Sequence, residues 1–333
     1  MQGVARRAGR LVSGPIGLIG RDRPIELLDR LRGHDPLPGA VRGKVVMITG
    51  ASSGIGRATA ERIGAAGATV VLVARSADAL GEVRDKIEHD GGQAFVHRCD
   101  LTDFDALDAM AAAVVERHGR VDVLVNNAGR SIRRSLALSY DRFHDYERTM
   151  ALNYFAPVRL ILALVPGMRE RREGQVINIS SVGVQTRVPR YGAYIASKAA
   201  LDTLSDALQA EVHADGVLFT TVHMPLVRTA MISPTKLYDR FPALTAEQAA
   251  GVVTRAIVHR ARRVSPPFGH AAAFVDALSP ELMDIVRSQG FRAFGESRAA
   301  RGVAPSADGR PGVDEQADAA GTAFAHLTRG VHW

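Results

Sequence analysis

Residues 41–265 predict an α/β fold, a doubly wound parallel sheet in a single domain with helical extensions at both ends. Three observations predict it. Short apolar runs alternate with helical stretches along the chain, which is the signature of parallel strands covered by helices on both faces. One such run, Val45–Ile48, leads into a Gly-rich turn and then a helix. The chain, 333 residues with 46% hydrophobic content, is long enough to bury a large core, and the alternating pattern fills about two-thirds of it. The segments are 1–40, an N-terminal extension, 41–265, the sheet domain, and 266–333, a C-terminal helical extension.

Strands are predicted near 44–49, 69–74, 93–98, 121–125, 175–180 and 217–223, with a weak seventh near 262–268. The first runs into Thr49-Gly50-Ala51-Ser52-Ser53-Gly54-Ile55-Gly56, and a helix follows from Arg57 to Ala66. Glycines there permit a tight turn and close approach of backbone to a pyrophosphate, whose charge suits a helix N-terminus. Gly50, Ser52, Ser53, Gly54, Ile55 and Gly56 are therefore candidate dinucleotide contacts. The second strand ends in Ala74-Arg75-Ser76 and the third in Cys99-Asp100-Leu101. Asn126-Asn127-Ala128-Gly129 follows the fourth, and Leu152-Asn153-Tyr154-Phe155 lies further on. After the fifth comes Ser181, thirteen residues before Tyr194-Ile195-Ala196-Ser197-Lys198. The sixth runs into His223-Met224-Pro225-Leu226-Val227-Arg228-Thr229.

Tyr194 and Lys198 stand four apart, on one face of a helix. An adjacent ammonium favours phenolate, so the tyrosine pKa is expected to fall toward the working pH. Such a phenol delivers a proton to a carbonyl oxygen as hydride reaches the carbon, and Ser181 supplies a hydroxyl to hold that oxygen.

Together these residues resemble the short-chain dehydrogenase/reductase family, whose fold is Rossmann-like. The resemblance implies that Asn153, Ser181, Tyr194 and Lys198 are the catalytic tetrad. It makes Asp100, with Leu101, the adenine contact, and Asn127, Ala128 and Gly129 the stretch beside the adenosine. Pro225, Val227 and Thr229 would lie over the nicotinamide, and Tyr194 and Lys198 would also hold its ribose. Leu226 departs from the family's Pro-Gly, so this loop is expected to be shaped differently. Asn127–Arg134, Asp141–Asp145, the loop at 223–229 and His332-Trp333 are similar to the bacterial fatty acyl-CoA reductases of this fold. The function implied is NADPH-dependent reduction of a long-chain acyl thioester, on CoA or acyl carrier protein, to the aldehyde. A ketone or aldehyde reductase acting on a lipid such as a β-keto acyl intermediate is the alternative. A dinucleotide sensor without catalysis is disfavoured by the intact tetrad.

NADPH is preferred because the turn after the second strand lacks an acid for the ribose 2′-hydroxyl and offers Arg75 to a 2′-phosphate. A single cysteine excludes an internal disulfide and a cysteine metal cluster, and the scattered histidines show no metal-ligand spacing. His118, His213 and His259 read as exposed helix positions. Cys99 is expected to be a packed residue away from the chemistry. Net charge is +7, yet the arginines are dispersed without stacking aromatics, which argues against nucleic acid. Arg130, Arg133, Arg134, Arg187 and Arg190 are either solvated or contact CoA phosphates. Arg6-Arg7 and Arg10 precede an apolar stretch from Leu11 to Gly20 that Ser13, Gly14, Pro15 and Gly17 interrupt. No run reaches the roughly 18 apolar residues of a membrane span, and a cytoplasmic, reduced setting is expected. Ile25–Leu31 reads as a short amphipathic helix and Glu296–Ala320 as a solvated linker. Apolar residues at helical spacing in Ala271–Leu278 and Pro280–Phe294 either pack on the core or a second subunit, or cover an acyl channel or meet a membrane surface. A homo-oligomer pairing through helices near 141–165 and 194–212 is expected from the resemblance.

Overall fold

The structure, a computed structural model, describes residues 35–233, 238, 241–296 and 299–301. The readings of Leu11–Gly20, Ile25–Leu31, most of Glu296–Ala320 and His332-Trp333 fall outside these residues. Seven strands form one parallel sheet: β1 Val45–Thr49, β2 Thr69–Ala74, β3 Gln93–Arg98, β4 Val123–Asn126, β5 Gly174–Ser181, β6 Val217–Met224 and β7 Arg263–Val264. Their order is β3-β2-β1-β4-β5-β6-β7, so direction reverses between β1 and β4. The helices are α1 Leu37–Val41, α2 Gly54–Ala65, α3 Ala77–His89, α4 Phe104–His118, α5 Phe143–Met150, α6 Ala156–Glu170, α7 Val182–Thr186, α8 Gly192–Val212, α9 Ala246–His259, α10 Pro267–Leu278 and α11 Pro280–Ala293.

Every residue of β1 is buried, which requires helices on both faces. Alternate side chains divide between two cores with the two-residue period of a strand. Val46 and Ile48 join Ile63, Leu80, Ile87 and Val253 on the face covered by α2, α3 and α9. Val45 and Met47 join Leu107, Leu160, Met168 and Leu201 on the face covered by α4, α6 and α8. A buried polar ladder crosses this second face. Asn126 Nδ2 donates to Asn178 Oδ1 at 2.8 Å, and Asn178 Nδ2 donates to Ser205 Oγ at 2.8 Å.

Two expectations are corrected. The seventh strand, expected over 262–268, pairs only at Arg263 and Val264, because Pro266 and Pro267 cannot donate to a ladder and Pro267 opens α10. His118, read as exposed, is half-buried and meets Phe95 edge-on at 4.7 Å between ring centres.

Asn178→Ala leaves the Asn126 amide and the Ser205 hydroxyl with lost partners in the core. Urea unfolding is expected to show a loss of roughly 2–4 kcal/mol. A loss below about 0.5 kcal/mol, within the range of an ordinary surface change, would show the ladder to be dispensable.

Candidate active site

The order reversal opens a crevice at the C-terminal ends of β1 and β4, where open α/β sheets bind ligands. The Thr49 hydroxyl, which ends β1, accepts the backbone N–H groups of Asn127 and Ala128, each at 3.0 Å. Asn127 Nδ2 returns to the carbonyl of Thr49 at 3.0 Å. These bonds lock the Gly-rich turn onto the segment after β4. Gly50 and Gly54 have φ of +66° and +53°, where L side chains are strained. A Cβ on Gly56 would stand 2.2 Å from the Gly50 carbonyl, so no larger residue fits. The Ser53 side chain makes no cap at the start of α2, which leaves first-turn amides to an anion.

At the outer end of this cradle, Asp100 is held ionised below the usual carboxylate range. Hydrogen bonds from the Thr102 amide and hydroxyl are the main cause, and Arg75 and Arg130 add to it. Arg75 is exposed here beside Arg98, whose Nε donates to the Arg75 carbonyl at 3.3 Å. Arg98 was not anticipated, although β2–β3 register pairs it with Ala74 and thus places it at the same turn.

The four tetrad positions converge. Between α5 and α6 the helix widens into a π turn over Ala151–Phe155, with Ala156 N–H bonded to the Ala151 carbonyl. Pro157 lacks the N–H that would bond to Asn153 C=O, which favours the slip. The bulge buries Asn153, whose amide donates to the Arg130 carbonyl at 2.9 Å and to Ser197 Oγ at 3.0 Å. Its Oδ1 accepts Arg130 N–H at 2.8 Å. Ser181 ends β5, where its Oγ accepts Gly183 N–H at 3.0 Å, and it is also hydrogen-bonded to Tyr194. Lys198 is buried and donates to the Ile179 carbonyl at 2.7 Å.

The electrostatics differ from expectation. Tyr194 was expected to be acidified by Lys198, but burial pushes its pKa up, with the Ser181 hydrogen bond opposing and Asp202 reinforcing the rise. Burial also lowers Lys198 from its ordinary 10.5 to about 8, against the pull of Asp202. Both groups are desolvated, and that cost outweighs their mutual influence. At neutral pH Tyr194 therefore keeps its proton as a donor must.

The loop after β6 is clasped. Leu244 N–H donates to Leu226 C=O and Arg228 N–H to Leu244 C=O, each at 2.9 Å. Leu226 sits in this short parallel bridge without positive φ. Thr229 reaches back to the turn, where a Cβ on Gly54 would stand 3.1 Å from its methyl.

A cleft of about 2180 Å³ runs from Arg75 and Asp100 past the tetrad to Phe268, Met283 and Val286 of α10 and α11. A small-ligand pocket is roughly 300–1,000 Å³, so a dinucleotide does not exhaust it. Four of the five arginines considered for CoA are used to fasten this cover. Arg190 Nε pairs with Glu296 at 3.0 Å, its guanidinium stacks 4.0 Å from the Phe291 ring, and it donates to Phe291 C=O. Arg133 donates to Gly295 C=O at 2.6 Å, and Arg134 to Ala300 C=O. Arg187 and Arg287 both pair with Asp276. Arg133 also hydrogen-bonds Tyr238, whose phenol burial pushes up to about 12. Cys99, at the adenosine end, is buried with its thiol pKa raised by burial, as expected of a packed residue.

The profile of the short chain dehydrogenase family matches residues 44–237. The chain belongs to this family. An uncharacterized oxidoreductase of Mycobacterium tuberculosis is 58% identical over 320 residues, covering 94% of this chain and 92% of its own. A fatty acyl-CoA reductase of Acinetobacter baylyi is 48% identical over 293 residues, 88% of this chain and 96% of that protein. Among solved structures, a metagenomic short-chain oxidoreductase in complex with NADP aligns with a TM-score of 0.58 and 34% identity, covering 66% of this chain and 92% of that one. The protein is thus an oxidoreductase of the short-chain dehydrogenase fold. Its Gly-rich cradle, with no room for a Cβ on Gly56 and open first-turn amides, fits a nicotinamide dinucleotide.

Lys198 gives a test by linkage. Its folded pKa, about 8, lies below its ordinary 10.5, so the unfolded chain binds the extra proton between those values. Wild type therefore gains stability as pH rises from 8 to 10.5, on the order of 3 kcal/mol. Lys198→Met abolishes this dependence. Its Tm relative to wild type is expected to be more favourable at pH 7 than at pH 10. A difference independent of pH would mean that Lys198 is not desolvated.

Proposed function

We propose that this protein reduces long-chain fatty acyl-CoA to the aldehyde with NADPH. The observation that carries the reading is the apolar cleft continuing beyond Ser181 and Tyr194 beneath α10 and α11, with room for a long acyl chain. The fatty acyl-CoA reductase of Acinetobacter baylyi, similar along 88% of this chain, supports it. Arg75 and Arg98 together favour a ribose 2′-phosphate, hence NADPH.

The Gly-rich turn, with Tyr194 and Lys198 at the ribose, would hold NADPH, which when bound would supply hydride to the carbonyl carbon. Ser181 and Tyr194 hold the thioester oxygen by hydrogen bonds and stabilise the charge that develops there. Tyr194 then transfers its proton to that oxygen. The resulting hemithioacetal loses the C–S bond, which leaves aldehyde and free thiol. No covalent enzyme intermediate is needed, and the buried Cys99 is unsuited to form one.

NADPH oxidation with palmitoyl-CoA, with thiol release followed in parallel, tests the reaction. Tyr194→Phe is expected to lower turnover about 10²–10⁴-fold and Cys99→Ala to leave it nearly unchanged. Ready reduction of ketones or aldehydes with no thiol released from any acyl thioester would move the protein to the ketoreductase reading. Arg75→Ala should weaken NADPH binding far more than NADH binding, and equal losses would sink the cofactor assignment.

Pairing of two chains belongs to the same proposal. Phe155, just before α6, and Leu162 on it stay exposed, at 47% and 66%, on the helix expected at such an interface. Sedimentation at micromolar concentration should show a dimer or tetramer, and a clean monomer counts against it.

A further inference from the structure

One turn beyond Lys198, α8 carries Asp202, which no step above uses. Its Oδ2 accepts the Ser180 hydroxyl at 3.0 Å and lies 2.8 Å from His223 Nε2. His223 Nδ1 lies 2.6 Å from Ser265 Oγ. Ser180 and His223 are register partners on β5 and β6, and Ser180 immediately precedes Ser181. One carboxylate therefore ties the helix bearing Tyr194 and Lys198 to the strand that ends in Ser181. The side chains of Asp202 and His223 are only 14% and 6% exposed. Positions four apart on a helix share a face, with Cβ atoms about 5–6 Å apart, and the Asp202 carboxylate exerts an electrostatic pull on Lys198.

We propose that Asp202, held in place by Ser180 and His223, is a positioning residue that keeps Lys198 charged and Tyr194 protonated in the buried site. Lys198 is lowered to about 8 by burial, and Asp202 is the charge that opposes the fall. The same carboxylate raises Tyr194. Reduction needs both protons in place, so one buried anion serves both groups. The other charged and titratable groups near the dyad are Arg262, Arg263, Arg187, Asp206, Asp276 and His270. Arg262 feels Asp202 but is engaged with Asp206 and the Phe219 carbonyl, and His270 of α10 faces His223.

A second cavity of about 370 Å³ lies beside this dyad. Asp202, His223, Thr221 and Gln185 line it, together with Arg187, Arg263 and Asp276, and it shares no lining residue with the substrate cleft. Asp202 Oδ1, Thr221 Oγ1 and Gln185 Oε1 have no protein partner among the described residues.

The inference rests on the tetrad chemistry of the family rather than on the thioester reading, and its first test, the titration of Lys198, needs no substrate. The chain has four lysines, so protein labelled with ¹³C at lysine Cε gives a short list of signals, with Lys198 identified by its loss in Lys198→Arg. Lys198 should titrate near 8 in wild type. Asp202→Asn should lower that value by about one unit or more, while Asp202→Glu restores most of it. In steady state, with palmitoyl-CoA or decanal as turnover dictates, the alkaline limb of kcat should move to lower pH in Asp202→Asn. An unchanged Lys198 titration in folded Asp202→Asn overturns the proposal, as does a rate loss equal at every pH. Should that variant not fold, His223→Ala, which frees the carboxylate to turn away, must show the same downward shift or the proposal fails.

Discussion

The hydroxyl of Thr49 carries a constraint on which the rest of the site depends. A parallel sheet that reverses its order between β1 and β4 leaves backbone amides past both strand ends with no ladder to join. Thr49 Oγ1 takes two of them, from Asn127 and Ala128, and Asn127 repays the bond to the Thr49 carbonyl. The crevice is thereby fixed in width. Gly50 and Gly56 can then pack backbone against backbone, and the N-terminus of α2 keeps first-turn amides without a side-chain cap.

Around that crevice, burial sets the chemistry. Lys198 and Tyr194 lie where solvent does not stabilise their charged forms, so one is made less basic and the other less acidic. Lys198 spends a hydrogen bond on the Ile179 carbonyl, and Asn153 spends its amide on Arg130 and Ser197. The site is a network of committed donors rather than a set of free groups. Ser181 and Tyr194 are bonded to one another at the strand end.

The cover of the cleft uses a different device. Arg187 and Arg190 both adopt left-handed backbone, with φ of 53° and 72°, which costs a non-glycine residue energy unless its surroundings hold it there. Arg190 is held by Glu296, the Phe291 ring and the Phe291 carbonyl, and Arg187 by Asp276. The loop leading to Tyr194 is therefore fastened to the helices that roof the cleft.

The fold and the tetrad were legible in the sequence because their physical requirements are local. A strand buried on both faces must be apolar throughout, as Val45–Ile48 is, and a turn with positive φ and a Cβ-free approach must be glycine, as Gly50 and Gly56 are. Tyr194 and Lys198 are neighbours through helix geometry alone. The sequence could not disclose the direction of the Tyr194 shift, since desolvation depends on everything packed around the phenol. Nor could it disclose the destination of Arg133, Arg134, Arg187 and Arg190, whose partners in the cover lie roughly 90–170 residues away, with Arg134 also paired to the nearer Asp145. The two-residue β7 and the Asp202–His223–Ser265 cluster have the same origin. Local patterning by itself determined which segments are strands, which turn can cradle a phosphate and which helix face carries Tyr194 and Lys198. Tertiary structure decided what each charge costs and whom each arginine meets, because dielectric and long-range contact exist only once the chain has folded.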